Sequence, residues 1–144
     1  MGRVFDPPKP GDIVYCYFPE VGIPKPGPKP RPAMVLQVGT VDETPYVRVA
    51  YGTSRKTTEL NSGEFLISPD DAAAFILSGL AYATKFDLGK TYELPFNDIW
   101  FRVPPMPAHV QSPKLGVLHP SLMKRAEAAF RSVKPRPSKP KGRP

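Results

Sequence analysis

The chain has 144 residues, 40% of them apolar, and a formal net charge of +7, which suits one domain with a modest core and flanking tails. No stretch approaches the roughly 18 consecutive apolar residues of a membrane-spanning helix, and the opening MGRVFDPPKPG has no apolar signal-peptide region. Cys16 is the single cysteine, which excludes an intramolecular disulfide and a cysteine-based metal site and makes the cytoplasm the expected compartment.

Charge and proline are unevenly placed. Lys134, Arg136, Lys139, Lys141 and Arg143 sit in an acid-free stretch, 134–144, so the other 133 residues carry a surplus of only +2. A nucleic-acid reading therefore rests on local placement of cations within the folded part, with the tail as a separate accessory. Most of the 21 prolines lie in 1–32, 104–120 and 135–144. Only Pro45, Pro69 and Pro95 interrupt the interior, which is free to form a sheet.

Residues 1–10 read as an arm stiffened by Pro7, Pro8 and Pro10. Gly11-Asp12 turns into a first strand, Ile13 to Phe18, whose β-branched and aromatic run shows no polar alternation and so predicts burial on both faces. Within it Cys16 reads as a small buried hydrophobe. Residues 19–32 form a long loop with prolines at spacing two, a spacing without a P-x-x-P motif. Its stiffness restricts where Lys29 and Arg31 point. A second strand follows over Ala33 to Val38, a turn over Gly39 to Thr44, and a third strand over Tyr46 to Tyr51, with Val47 and Val49 sharing one face.

Residues 55–62 are polar surface, and Gly63 to Ile67 is a short fourth strand. Ser68-Pro69-Asp70-Asp71 has the form of a helix start: a serine cap, proline at the first position and two acids against the dipole. The helix is expected to run to Ser78 with Gly79 as its stop, burying Ala73, Phe75, Ile76 and Leu80. Two short β-like runs follow, Thr84 to Phe86 and Thr91 to Leu94, split at Leu88-Gly89. Ile99 to Val103 is the last expected strand, and Trp100 and Phe101 suggest further core. Residues 104–116 read as irregular. His119-Pro120-Ser121 opens a terminal helix to Val133 with Leu122, Ala126, Ala129 and Phe130 on its inner face. The basic tail has nothing to bury and is expected to be unstructured. The domains are thus an arm (1–10), a barrel-like β domain with an inserted and a C-terminal helix (11–133), and the tail (134–144).

There is no P-loop, G-x-G-x-x-G, H-E-x-x-H or paired-cysteine motif, so no cofactor or metal is expected. His119 reads as a helix-start residue rather than a base, and His109 is uninformative. Two stretches carry a resemblance. Pro10-Gly11-Asp12-Ile13-Val14, followed after a loop by Arg31-Pro32-Ala33-Met34-Val35-Leu36, resembles the opening of the MazF/PemK toxins of type II toxin–antitoxin pairs. Val49-Ala50-Tyr51-Gly52-Thr53 is similar to the end of the third strand of that family, which closes on a Thr or Ser. The likeness covers about residues 10–54.

The resemblance implies an SH3-like small barrel, a homodimer and metal-independent cleavage of single-stranded RNA, with an acidic antitoxin as protein partner. By motif, the catalytic pair is Arg31 and Thr53. Elementary chemistry is compatible with that pair. RNA brings its own 2′-hydroxyl nucleophile, and a guanidinium stabilises charge developing on phosphate bidentately while staying charged. A threonine hydroxyl adds a hydrogen bond, with Ser54 the substitute if the register slips by one. Lys25, Lys29, Arg55 and Lys56 are placed to hold phosphates and Tyr51 to stack a base. The alternative is a catalytically inactive binding module, of phage or mobile-element origin, whose basic loop and tail grip nucleic acid or a protein.

Overall fold

The computed structural model describes residues 3–105 and 111–134. His109 and residues 135–144 of the basic tail lie outside the described residues. The fold is mainly β: a six-stranded antiparallel sheet with two helices. The strands are β1 (Asp12–Cys16), β2 (Arg31–Val41), β3 (Thr44–Thr53), β4 (Glu64–Ile67), β5 (Thr84–Pro95) and β6 (Lys114–Val117), in the spatial order β4-β5-β3-β2-β1-β6. Among the described residues the sheet is open, with β4 and β6 as its edges. No helix of the described residues is long and apolar enough to cross a membrane.

Both faces of the sheet are covered, as the unbroken apolar run of β1 requires. Val14, Ala33, Val35, Val47 and Val49 pack on one face with Phe5, Phe96 and Phe101. Ile13, Met34, Ala50, Phe65 and Phe86 pack on the other, under α1 (Ala73–Ser78) and α2 (Met123–Arg131). Cys16 is fully buried, and burial pushes its thiol well above the ordinary value. It is a packing residue, as expected of a small hydrophobe in this position.

The first ten residues are more than an arm. Phe5 is buried, its N–H donates to the Phe96 carbonyl at 3.0 Å, and its ring meets Phe96 edge-on. Burial of such a ring is worth about 1.5–3 kcal/mol.

Several strand assignments differ from the sequence reading. The expected turn over Gly39 to Thr44 is strand up to Val41, and the chain reverses on Asp42 and Glu43, both with left-handed φ (49° and 68°). That is the two-residue geometry matching strand twist, built here without the usual Asn-Gly. The runs at Thr84 and Thr91 are one strand. Ala50 pairs with Thr91 and Tyr51 with Asp87, so Leu88, Gly89 and Lys90 form a bulge rather than a break. An odd slip turns the strand over: Phe86 and Leu88 join one core, Tyr92 and Leu94 the other. Ile99 to Val103 is not a strand. Only Phe101 bridges β1, at Cys16, while Asn97 Oδ1 accepts the Ile99 and Trp100 N–H groups and turns the chain locally. Phe101 is nevertheless fully buried, with Trp100 packed against the same cluster. Conversely, β6 arises in a stretch read as irregular, because β1 offers a free edge to Lys114–Val117.

The inserted helix starts as expected and then breaks. Ser68 and Asp71 form a reciprocal capping box over a 3₁₀ turn at Pro69–Asp71. Ala72 then adopts φ 53°, ψ −117°, and α1 restarts after it. The break shifts the helical phase, so Ala74 and Ser78 face inward while the expected Ala73 and Ile76 are exposed. Leu80 is buried beyond the Gly79 stop. At the C-terminal helix His119 is a helix start, its Nδ1 accepting the Ser121 N–H at 3.0 Å. Leu122 and Ala129 are buried, but the expected inner residue Phe130 is exposed. The sheet surface beneath α2 is already filled by Leu122, Ala126 and Ala129, which leaves the larger ring at the helix edge.

Gly52 is where β3 meets its neighbours most closely. A Cβ there would strike the Pro32 carbonyl oxygen and lie 2.8 Å from the Phe86 ring. Gly52→Ala is therefore expected to destabilise the fold by about 1–3 kcal/mol or more, because neither backbone nor buried ring yields easily. Gly39→Ala, which meets nothing within 4 Å, should stay within about 0.5 kcal/mol of wild type. Urea unfolding midpoints check both.

Candidate functional site

Arg31 is the first residue of β2 rather than a loop residue, and its backbone pairs with Cys16 of β1. The loop before it folds back on itself: Pro19 bridges Pro26, and the Gly27 N–H donates to the Phe18 carbonyl at 2.9 Å. Thr53 is the last residue of β3. Continuing the β2–β3 register two residues past the Ala33–Tyr51 pair sets Arg31 opposite Thr53, and both line one cleft of about 360 Å³. Ser54, Tyr15, Leu80 and Tyr82 share that cleft, and no described residue lining it is acidic.

The Thr53 hydroxyl accepts the Arg55 N–H at 3.1 Å, which fixes the turn after β3 and leaves its own O–H to donate. Among the described residues the Arg31 guanidinium makes no hydrogen bond or ion pair. Arg31 and Lys29 also line a second cleft, of about 330 Å³, with Phe18, Tyr51, Lys90 and Tyr92. Glu20, at the start of the loop, is the one acid there. The Lys29-Pro30-Arg31 segment is thus a shared wall between two concavities.

The remaining expected site residues sit less centrally. Lys25 is exposed on the folded-back loop, and Arg55 and Lys56 are exposed on the turn after Thr53, outside both clefts. Lys56 takes a left-handed φ of 50° in that turn. Tyr51 lines the second cleft, but Lys90 Nζ lies 4.0 Å from its ring centroid and Phe18 meets it edge-on at 4.9 Å. Sequence reading did not single out Lys90, Tyr92 or Tyr82. The Leu88-Gly89 interruption was the available signal for a bulge that presents Lys90. Burial, and then Tyr51 and Cys16, push the Tyr92 phenol above its ordinary value.

No protein-family model matches the chain, and no curated protein matches it. Among the described residues no group of three or more His, Cys, Asp or Glu is placed to hold a metal ion.

On its far side Thr53 pairs with Lys85 of β5, whose cation is fully engaged. Lys85 Nζ lies 3.0 Å from Glu64 Oε1 and donates to the Glu59 carbonyl at 2.7 Å, and both side chains are at least nine-tenths buried. Burial pushes the Glu64 carboxyl up, but the Asn61 N–H and the Lys85 ammonium together outweigh it and hold the carboxyl below its ordinary value. Removing one partner strands a buried charge, so Lys85→Met is expected to cost about 3–5 kcal/mol, read from urea unfolding. Because the folded Glu64 value is depressed, its contribution is complete above about pH 4.3 and fades as pH falls through the lower folded value. Glu64→Gln should accordingly flatten the acid limb of a stability-against-pH curve between about pH 5 and 2.

Proposed function

We propose that this chain is a MazF/PemK-like endoribonuclease toxin that cuts single-stranded RNA without a metal, built on an SH3-like barrel. The observation that carries the reading is the Arg31 guanidinium, free of any described carboxylate, beside a donor hydroxyl at Thr53 in a cleft whose described lining holds no acid. Such a cleft attracts phosphate, and a pre-placed guanidinium stabilises negative charge without reorganisation. The barrel reading draws support from the long strands β2, β3 and β5 and from the bulges at Leu36 and at residues 88–90, which bend a sheet.

In this reaction the RNA 2′-oxygen attacks the adjacent phosphorus and the bond to the 5′-oxygen breaks. The products are a 2′,3′-cyclic phosphate and a 5′-hydroxyl. The proton lost by the 2′-oxygen ends on the 5′-oxygen. Arg31 holds the non-bridging oxygens as their charge grows, and Thr53 donates to one of them. Arg31 remains a cation throughout, since its guanidinium does not deprotonate in a protein. The same reading carries a homodimer in the cytoplasm and an acidic antitoxin as partner. The cations at Lys25, Lys29, Arg55 and Lys56, which meet no carboxylate among the described residues, favour acidic partners of both kinds.

Purified protein is expected to cleave single-stranded RNA in EDTA, leaving cyclic-phosphate ends. Arg31→Ala should lower the rate by about 10²–10³ or more, and Thr53→Ala by about tenfold or more, each with the unfolding midpoint retained. Intact RNA after prolonged incubation with folded wild-type protein would overturn the enzyme reading. RNA bound but uncut would favour the non-catalytic module.

A further inference from the structure

Arg31 has clefts on both sides, and they differ in chemistry. The first holds Thr53 and a tyrosine, Tyr82, that is 73% exposed. Tyr82 sits in the link between α1 and β5, and its carbonyl accepts the Thr84 hydroxyl at 2.8 Å, which steadies the backbone beneath the ring. A large ring so exposed at the wall of this cleft has no folding role among the described residues. The second cleft is cationic, with Lys29, Arg31 and Lys90 against the single carboxylate of Glu20. Lys90 is carried out of the ladder by the β5 bulge and placed over Tyr51, with no carboxylate partner among the described residues. Its chain neighbours Asp87 and Gly89 hold each other through the Asp87 Oδ1 contact with the Gly89 N–H at 2.9 Å, so the bulge has a defined shape.

A ring on one side of a cation and a second cation on the other match one repeat of a nucleic-acid strand: base, phosphate, next phosphate. We propose that the chain holds single-stranded RNA astride Arg31, with the base on the Thr53 side stacked on Tyr82 and the neighbouring phosphate on the other side held by Lys90. Tyr51, occupied by Lys90 and Phe18, positions that lysine rather than stacking a base. Glu20 enters the second cleft from the loop, and its one carboxylate stands against the three cations Lys29, Arg31 and Lys90. The proposal rests on the RNA-cleaving reading of Arg31 and Thr53 and adds the binding register around them.

The test separates binding from cleavage. Fluorescein-labelled 2′-fluoro oligonucleotides, which lack the attacking hydroxyl, are titrated with full-length protein by anisotropy over a range of salt. Tyr82→Ala should weaken binding by about five- to a hundred-fold with the salt slope unchanged, as expected for a lost stack. Lys90→Ala should weaken binding and reduce the slope of log affinity against log salt by about 0.7, the contribution of one phosphate contact to a single strand. Lys124→Ala, on the exposed side of α2, should change neither. Both site substitutions fall on partly or largely exposed side chains, and an unchanged urea midpoint confirms folding. Wild-type affinity in Tyr82→Ala and Lys90→Ala, or an equal slope change in Lys124→Ala, overturns the proposal while Arg31-dependent cleavage in EDTA stands. Absence of binding by wild type overturns it too, and the cleavage assay then decides the enzyme reading separately.

Discussion

The register slip between β3 and β5 turns one strand over midway, and both cores depend on it. Phe86 and Leu88 must lie under the helices, while Tyr92 and Leu94 must lie with Phe96 and Phe101 on the opposite face. All four have even numbers, so a regular strand would place them on one side. Three residues that the register with β3 skips, Leu88 to Lys90, change the parity. A smaller bulge at Leu36 does the same for β2, moving from Ala33 and Val35 to Val38 on one face. The strands can then run long between two hydrophobic layers, and Gly52 lets β3 close against Phe86 and Pro32 beside the slip. The same device expels Lys90 from the ladder toward Tyr51. Core formation and cleft composition are therefore set by one irregularity.

Cations divide into two populations around that frame. Arg48, Lys85, Lys114 and Arg125 each meet a carboxylate, and those pairs lie on the sheet or join the helices to it. The most buried of them, Lys85, abuts Thr53 from the far strand and is neutralised by Glu64. Arg31, Lys29 and Lys90 meet none among the described residues. Burying an unpaired charge is costly, so the unpaired set stands at cleft walls where water or a ligand solvates it, while Lys85, the one buried cation among the described residues, is paired. With a surplus of only +2 outside the tail, this segregation, rather than total charge, creates a positive site.

Local chemistry made much of this legible in sequence, and nonlocal pairing hid the rest. β-branched runs marked β1 to β4, Ser68 and Gly79 marked the ends of the inserted helical segment, and His119 marked the last helix. Arg31 and Thr53 were nominated from short motifs, and their shared cleft follows from adjacent strands in register. The β5 bulge was misread as a break because a slip is defined by the partner strand, which periodicity does not show. β6 was missed because Lys-Leu-Gly-Val has little pattern of its own and exists through the edge of β1. Ala72 was invisible because nothing in an alanine announces a left-handed φ. Its effect spread further, since it rephased α1 and exposed Ile76. Tyr82 was unremarkable because a lone tyrosine in a link has no period to violate.

Placing Arg31 on a strand instead of a loop changes what the proline-rich segment does. A loop arginine would pay for each phosphate contact with the ordering of its backbone. Here the Arg31 backbone is already fixed by pairing with Cys16, at the rim of a largely buried β1. The loop in front closes through Pro19, Pro26 and Gly27, and a Cβ at Gly27 would lie 2.9 Å from the Phe18 carbonyl. Its prolines therefore do not aim Arg31 by stiffness alone. They bring Lys29 back beside Arg31, so that two cations two residues apart form a common wall for both clefts. Electrostatic stabilisation is greatest when the donor is in place before charge develops, and a strand terminus flanked by a folded-back loop meets that condition.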